Sequence, residues 1–260
     1  MEVKIRDYTF TVDDSHEAFW SRVKEGEWEP GLLDVIDRYV DDDTVVYDVG
    51  AFIGAATLYA SRKAKQVFAF EPNPTAFRWL EKNVEENSCD NVDPTNKGVS
   101  ARLGRVQLRR VAGAESPMNT FEGKPDKENQ GPEVEVVDVK SLVKDATDNE
   151  EATFFKIDTE GHEYELFSSA SNAFKNTDSI IHLSTHSAFQ SFLIDSSEGL
   201  HHGLFRRSHR LLKNLRLAWH LSRFNRIEDE SGESVALWTG AMKGSIGHAF
   251  TKNGAVVLHA

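Results

Sequence analysis

The 260-residue chain carries 30 Lys and Arg against 42 Asp and Glu, a formal charge of −12, and 39% of it is hydrophobic with glycine left out of the count. That length suits one large α/β domain, or one domain with a small appendage, and the acidity argues against broad nucleic-acid binding. A lone cysteine, Cys89, excludes an intrachain disulfide and a cysteine zinc cluster, while the N-terminus lacks a signal-peptide core and no apolar run is long enough to span a bilayer, so a cytoplasmic location is expected.

Residues 3–12 alternate charge with the β-formers Ile5, Tyr8, Phe10 and Val12, which predicts a strand or hairpin. Ser15 to Lys24 and Gly31 to Tyr39 read as helices, the second with Leu32, Leu33, Val35 and Ile36 as its apolar side. Between them lies Gly26-Glu27-Trp28-Glu29-Pro30, where Pro30 suits a first helical turn and Glu29 a helix start.

Thr44 to Glu71 is the organising stretch. Val45-Val46-Tyr47-Asp48 is an apolar run ending in an acid, a glycine-spaced turn follows at Gly50 to Gly54, and an Ala- and Leu-rich segment leads to Val67-Phe68-Ala69-Phe70 and Glu71. Near-continuous apolar runs joined by a helix predict a buried parallel βαβ unit, whose ligand lies at the carboxyl ends of the strands. The glycines are spaced GxxxG, wider than a pyrophosphate turn needs, and Asp48 would repel phosphate but attract an ammonium or sulfonium. Glu71 is placed to accept hydrogen bonds from a ribose diol. A ribose, a positive charge and no phosphates describe S-adenosylmethionine. The plainer alternative is a turn whose glycines allow tight helix–strand packing, with Asp48 as a helix cap.

Pro72-Asn73-Pro74 stops the second strand, and Asn73 before Pro74 makes a cap-and-first-turn pair for a helix to about Asn87. Asn91 to Ser100 is expected to hold a strand broken at Pro94. Val106 to Leu108 and Val134 to Val137 predict short strands around the polar stretch Gly113 to Pro132, a candidate mobile loop or lid. Ala152 to Asp158 is another buried strand ending in an acid, followed by a turn, Thr159 to Glu163, and a helix. Ile180 to His186 is the next strand, His201 to about Leu217 a long helix, and Arg223 to Glu228 with Val235 to Gly240 a closing antiparallel pair.

Asp158, Glu160, His162 and Glu163 gather four ionisable groups at a strand end. Such a cluster at the carboxyl end of a strand, on the presumed cofactor side, suits a general base or a group that orients a bound hydrogen-bond donor. Asp158 is the first candidate for the base or orienting group, Glu160 the second, and His162 a further candidate, imidazole being the side chain type that changes charge in the physiological range. Their structural alternative is capping the following helix and complementing its dipole. His182 and His186 share one face of a strand; strand histidines more often pack than bind metal, and no third ligand is fixed by spacing, so no metal is expected. His186 stands as a substrate-site candidate. Residues 201–226 hold seven Lys and Arg and no acid, which suits a membrane-surface or anionic-substrate contact as well as it suits a packed helix with a basic outer face.

DVGAFIGAATL, AFEPNP and KIDTEGHE, in that order, resemble the FkbM-type S-adenosylmethionine-dependent methyltransferases, whose pattern is similar to DVGANxG, FEPxP and KIDxEGxE; GEWEP also resembles the family's lead-in. The resemblance covers about Gly26 to His186. It implies a Rossmann-like class I methyltransferase fold: a mostly parallel central sheet, helices on both faces and a closing antiparallel strand pair. Residues 1–40 would cover the cofactor site, 41–245 form the methyltransferase domain, and 246–260 form a tail or edge element. It places the cofactor's methionine end near Asp48, Gly50 and Gly54, its ribose on Glu71, Asn73 and Ser100 nearer the adenine, and Glu29 at the amino-acid end. It implies O-methylation of a sugar or secondary-metabolite hydroxyl. A cofactor-binding module without turnover and a Rossmann dehydrogenase are the rival readings. His162 stands where the family commonly has a small residue, and Ser184 stands where it often has an acid.

Overall fold

In the computed structural model, which describes residues 1–110, 119–120, 130–148, 151–184, 217–235 and 255–260, the alternation at residues 3–12 becomes an antiparallel hairpin, β1 (Glu2–Ile5) and β2 (Tyr8–Thr11). A 3-10 turn leads into α1 (Glu17–Lys24), and α2 (Pro30–Tyr39) opens on Pro30, where a missing N–H costs no helical bond.

β3 (Val45–Val49), α3 (Ala55–Ser61) and β4 (Gln66–Phe70) are the expected βαβ unit, with parallel strands. α4 (Pro74–Glu86) is capped by Asn73, whose side chain accepts from the Thr75 and Ala76 N–H groups. Asn91 to Ser100 holds two strands, not one interrupted at Pro94. β5 (Val92–Thr95) contains the proline at the edge of the main sheet, where one side needs no ladder. β6 (Gly98–Ser100) joins a second sheet with β7 (Gly104–Arg110), β8 (Asn119–Thr120) and β9 (Gln130–Asp138), in the order β6-β9-β7-β8. Apart from residues 119–120 and 130–132, which are strand, the expected lid at 113–132 lies outside the described residues.

α5 (Val139–Asp148) was not anticipated, although Val139, Leu142, Val143 and Ala146 are spaced along one face and buried. β10 (Thr153–Ile157), α6 (Glu163–Lys175) and β11 (Ile180–Ser184) continue the parallel sheet. The described chain resumes with a helical segment at 217–221, then β12 (Arg226–Glu228) and β13 (Ala255–His259). The expected closing antiparallel pair is met in part: Ser234 bridges Glu228 in antiparallel sense and the Val235 N–H donates to the Ile227 carbonyl, while 236–240 lie outside the described residues and β12 also pairs antiparallel with β13. Residues 255–259, expected in a tail or edge element, sit inside the sheet between β11 and β12, because Ala255 to Leu258 are apolar and buried. Most of the basic segment 201–226 also lies outside the described residues.

The main sheet runs β12-β13-β11-β10-β3-β4-β5 among the described residues, parallel from β11 to β5. Every position of β3 and β10 is buried, which requires cover on both faces. Val46, Val67 and Phe154 pack under α2, α3 and α4; Tyr47, Phe155 and Ile157 pack under α5, α6 and residues 217–221. This is the expected Rossmann-like class I arrangement. The chain leaves β3 toward β4 and β5, then returns on the other side of β3 as β10. That reversal opens a crevice at the carboxyl ends of β3 and β10. No helix among the described residues is long and apolar enough to cross a membrane.

Candidate active site

The turn after β3 is fixed by Gly50 and Ala51, whose N–H groups both donate to the Phe70 carbonyl, at 2.9 and 3.0 Å. Gly50 has φ +84°, and a Cβ there would overlap the Asp158 carbonyl oxygen, so only glycine lets the loops after β3 and β10 meet. Gly54, at φ +98°, opens α3, and a Cβ there would lie 2.8 Å from the Leu80 side chain. Glu71 closes the other side of the turn. Its carboxylate accepts from the Phe52 N–H at 2.9 Å and the Asn73 N–H at 2.7 Å. Burial pushes this carboxyl up to about 7, against the pull of those two N–H groups and of Lys156.

Asp48 does not cap α3, and it does not line the crevice. It is buried behind the turn, where its Oδ2 accepts from Thr57 Oγ1 at 2.6 Å and its Oδ1 lies 3.1 Å from Lys156 Nζ. The expected direct attraction between Asp48 and a bound cation is thus intercepted by Lys156. That ammonium also donates to the Gly50 carbonyl at 2.7 Å and lies 3.6 Å from Asp158 Oδ2. Burial alone would push Lys156 down; Asp48 and then Asp158 hold it above the ordinary lysine range. Lys156 is the site residue that sequence reasoning passed over. Its signal was a lysine inside the apolar run ATFFKID, because a buried charge needs a partner.

The crevice is a cavity of about 690 Å³, within the range of small-molecule sites. Glu29, Gly50, Glu71, Lys156, Asp158 and Glu160 all line it. Glu29 and Glu160 reach it from left-handed backbone, φ +37° and +52°. α1 roofs the opening: Phe19 packs edge-on against Phe52 at 5.4 Å and Trp28 at 5.8 Å, and all three rings line the cavity. Phe52 stands where the family resemblance has Asn. Its φ of +52° is costly for a bulky residue, on the order of 1–2 kcal/mol, and the aromatic contacts offset that cost.

Other expected site residues lie elsewhere. Asn73 caps α4. Ser100 and His162 are buried beside the cavity and bond each other, Oγ to Nε2, at 3.2 Å; the neighbouring Gly98 and Val99 supply the wall. His162 therefore braces the second sheet against the start of α6. His182 bonds Glu230 at 2.9 Å, and His186 lies outside the described residues. Among the described residues, no three His, Cys, Asp or Glu side chains are grouped to hold a metal ion.

The donor set fits S-adenosylmethionine: carboxylates at both strand ends, a close-approach glycine, and a cavity with room for an acceptor. The family model "Methyltransferase FkbM domain" matches residues 48–207. The chain is 28% identical over 174 residues to "Hexuronic acid methyltransferase AglP" of Haloferax volcanii, covering 66% of this chain and 68% of that one. It is 33% identical over 95 residues to a tRNA (guanine(37)-N(1))-methyltransferase of Drosophila melanogaster, covering 35% of this chain and 21% of that one. A solved FkbM methyltransferase from Methylobacillus flagellatus matches at 17% identity and TM-score 0.39, over 59% of this chain and 36% of that one. With the family's domain spanning most of the sheet and the crevice at its reversal point, this chain belongs to the FkbM methyltransferase family.

Proposed function

We propose that this protein transfers a methyl group from S-adenosylmethionine to a hydroxyl of a sugar or glycan. The observation that carries the reading is the meeting of the Gly50 turn, Glu71 and the Asp158–Glu160 turn in one cavity at the sheet's reversal point. S-adenosylmethionine is the family's methyl donor and supplies an electrophilic methyl carbon on a sulfonium. Of the residues lining the cavity, Glu71 would accept from the cofactor's ribose hydroxyls and Glu29 would face its amino-acid end. The carboxylates lining the crevice favour the cofactor's positive charge. Asp158 receives the acceptor's hydroxyl hydrogen bond and fixes the oxygen in line, with Glu160 as the neighbouring acceptor. The Asp158 carboxylate would take the hydroxyl proton as the methyl group is given up to the acceptor oxygen. The roof of Phe19, Trp28 and Phe52 excludes water and offers flat apolar faces against which the C–H side of a sugar ring stacks. The similarity to a hexuronic acid methyltransferase supports a sugar acceptor.

The test is transfer of labelled methyl from S-adenosylmethionine to uronic-acid sugars, neutral sugars and a tRNA transcript. Label is expected in a sugar, and Asp158→Asn should cut kcat by roughly 10²–10⁴-fold while cofactor affinity stays within a few-fold. Label in the tRNA alone would overturn the sugar reading, and wild-type rates in Asp158→Asn would remove Asp158 from the chemistry.

A further inference from the structure

Lys156 has more contacts than a buried lysine needs. Asp48 lies directly opposite it in the strand register, and this partner alone would balance its charge. The other two contacts point away from the core: the Gly50 carbonyl, in the turn that meets the cofactor, and Asp158 Oδ2, in the turn that meets the acceptor. One ammonium thus spans both halves of the crevice. The charged groups facing it are Asp48 from β3, Asp158 beyond its own strand, Glu29 from the start of α2 and Glu71 beyond β4.

We propose that Lys156 is a positioning residue that ties the cofactor turn to the acceptor-side carboxylate and keeps Asp158 a charged, fixed hydrogen-bond acceptor. This rests on the methyl-transfer reading and sharpens it. A carboxylate steadied by a cation is a poor proton abstractor and a good orienting group, so Asp158 aligns the hydroxyl first. The proton arrives on it only as the C–O bond forms and the oxygen becomes acidic. The carboxylate of Asp48 serves this arrangement from behind the turn, by holding Lys156 in place.

The test compares wild type with Lys156→Met, Lys156→Arg and Asp48→Asn/Lys156→Met, the last removing both buried charges in case the single variant does not fold. The titration of the Asp158 carboxyl carbon, assigned by its loss in Asp158→Asn, is followed by NMR and needs no turnover. The midpoint should rise by at least one pH unit, a tenfold change in protonation, in the methionine variants and return toward wild type with arginine. In the transfer assay the acidic limb of the kcat profile should move up by the same amount, with the acceptor KM little changed. A folded methionine variant with an unmoved Asp158 midpoint would overturn the proposal, whatever the acceptor proves to be. Wild type that binds S-adenosylhomocysteine but methylates no sugar would instead count against the functional reading, with the NMR result still deciding the role of Lys156.

Discussion

Glu71 shows how much one buried carboxylate can be asked to do. Its two backbone N–H donors favour the charged form, burial opposes it more strongly, and the result is a carboxyl at about 7. A ribose diol needs an acceptor, so the charged form is the binding form. Affinity for S-adenosylhomocysteine should therefore rise with pH through about 7 and level off above it, while Glu71→Gln should bind roughly tenfold more weakly with a flat profile. The free protein should show the opposite slope. A folded value raised above the unfolded 4.5 means that the native state holds the proton more tightly. Stability from this group is then full below about 4.5 and falls as pH rises to about 7. Calorimetric titration and thermal melts across that window check both slopes, and parallel slopes would contradict the assignment. The strand-end acids Asp48, Glu71 and Asp158 were legible in the sequence as acids at strand ends. The position of Asp48 behind Lys156 was not, because it depends on β10 lying next to β3, and strand order is not written in any local segment.

At the scale of elements, the legible features were those with a local cause. The hairpin, the Pro30 and Pro74 helix starts and the glycine turn each follow from residue chemistry within a few positions. α5 carried its apolar spacing openly, but no Gly or Pro separates it from β9, and the strand reading stopped at Val137 with no helix assigned beyond it; the boundary is a side-chain effect, with Asp138 accepting from the Lys140 N–H. β12 meets Ser234 and Val235 just downstream, as its local pattern suggested, but its full ladder partner β13 lies much farther along the sequence, where no local pattern could name it. The turn itself yields a paired prediction. Gly26 and Gly50 both have positive φ, but a Cβ on Gly26 meets nothing within 4 Å, whereas one on Gly50 collides with the backbone after β10. Gly26→Ala should cost about 1 kcal/mol, the backbone term alone. Gly50→Ala should cost more, on the order of 3 kcal/mol, and abolish cofactor binding, because the Asp158 turn must move away. Melting curves with cofactor titration separate the two. Equal losses would mean that close approach at Gly50 has no role.

At the scale of the molecule, the crevice depends on residues far from it in sequence. β13 sits between β11 and β12, and its Val257 lies in register between His182 and Glu228, with Lys156 and Asp48 farther along the same row. Glu228 is fully buried and gathers Tyr39 and Arg38 from α2, Arg226 from its own strand and His259 from β13. Glu230, just beyond, bonds His182 and lies against Gly31 at the start of α2, next to the cavity residue Glu29. β12, paired to the final strand, therefore carries the ion pairs that seat α2, whose N-terminal cap is the cavity residue Glu29. Deleting residues 255–260 should do more than trim an edge. It exposes the ladder of β11, takes His259 from a Glu228 that keeps Tyr39, Arg38 and Arg226, and removes the buried side chains of Val256, Val257 and Leu258, worth about 1.5–3 kcal/mol each. The expected outcome is a chain without a cooperative melt and without measurable S-adenosylhomocysteine binding. Val257→Asp, which keeps the strand but sets a third carboxylate into the row beside Glu228, should destabilise the fold in the same direction. A deletion variant that melts cooperatively and binds cofactor with wild-type affinity would mean that the crevice is complete without β13, and that the link through Glu228 and α2 carries no load.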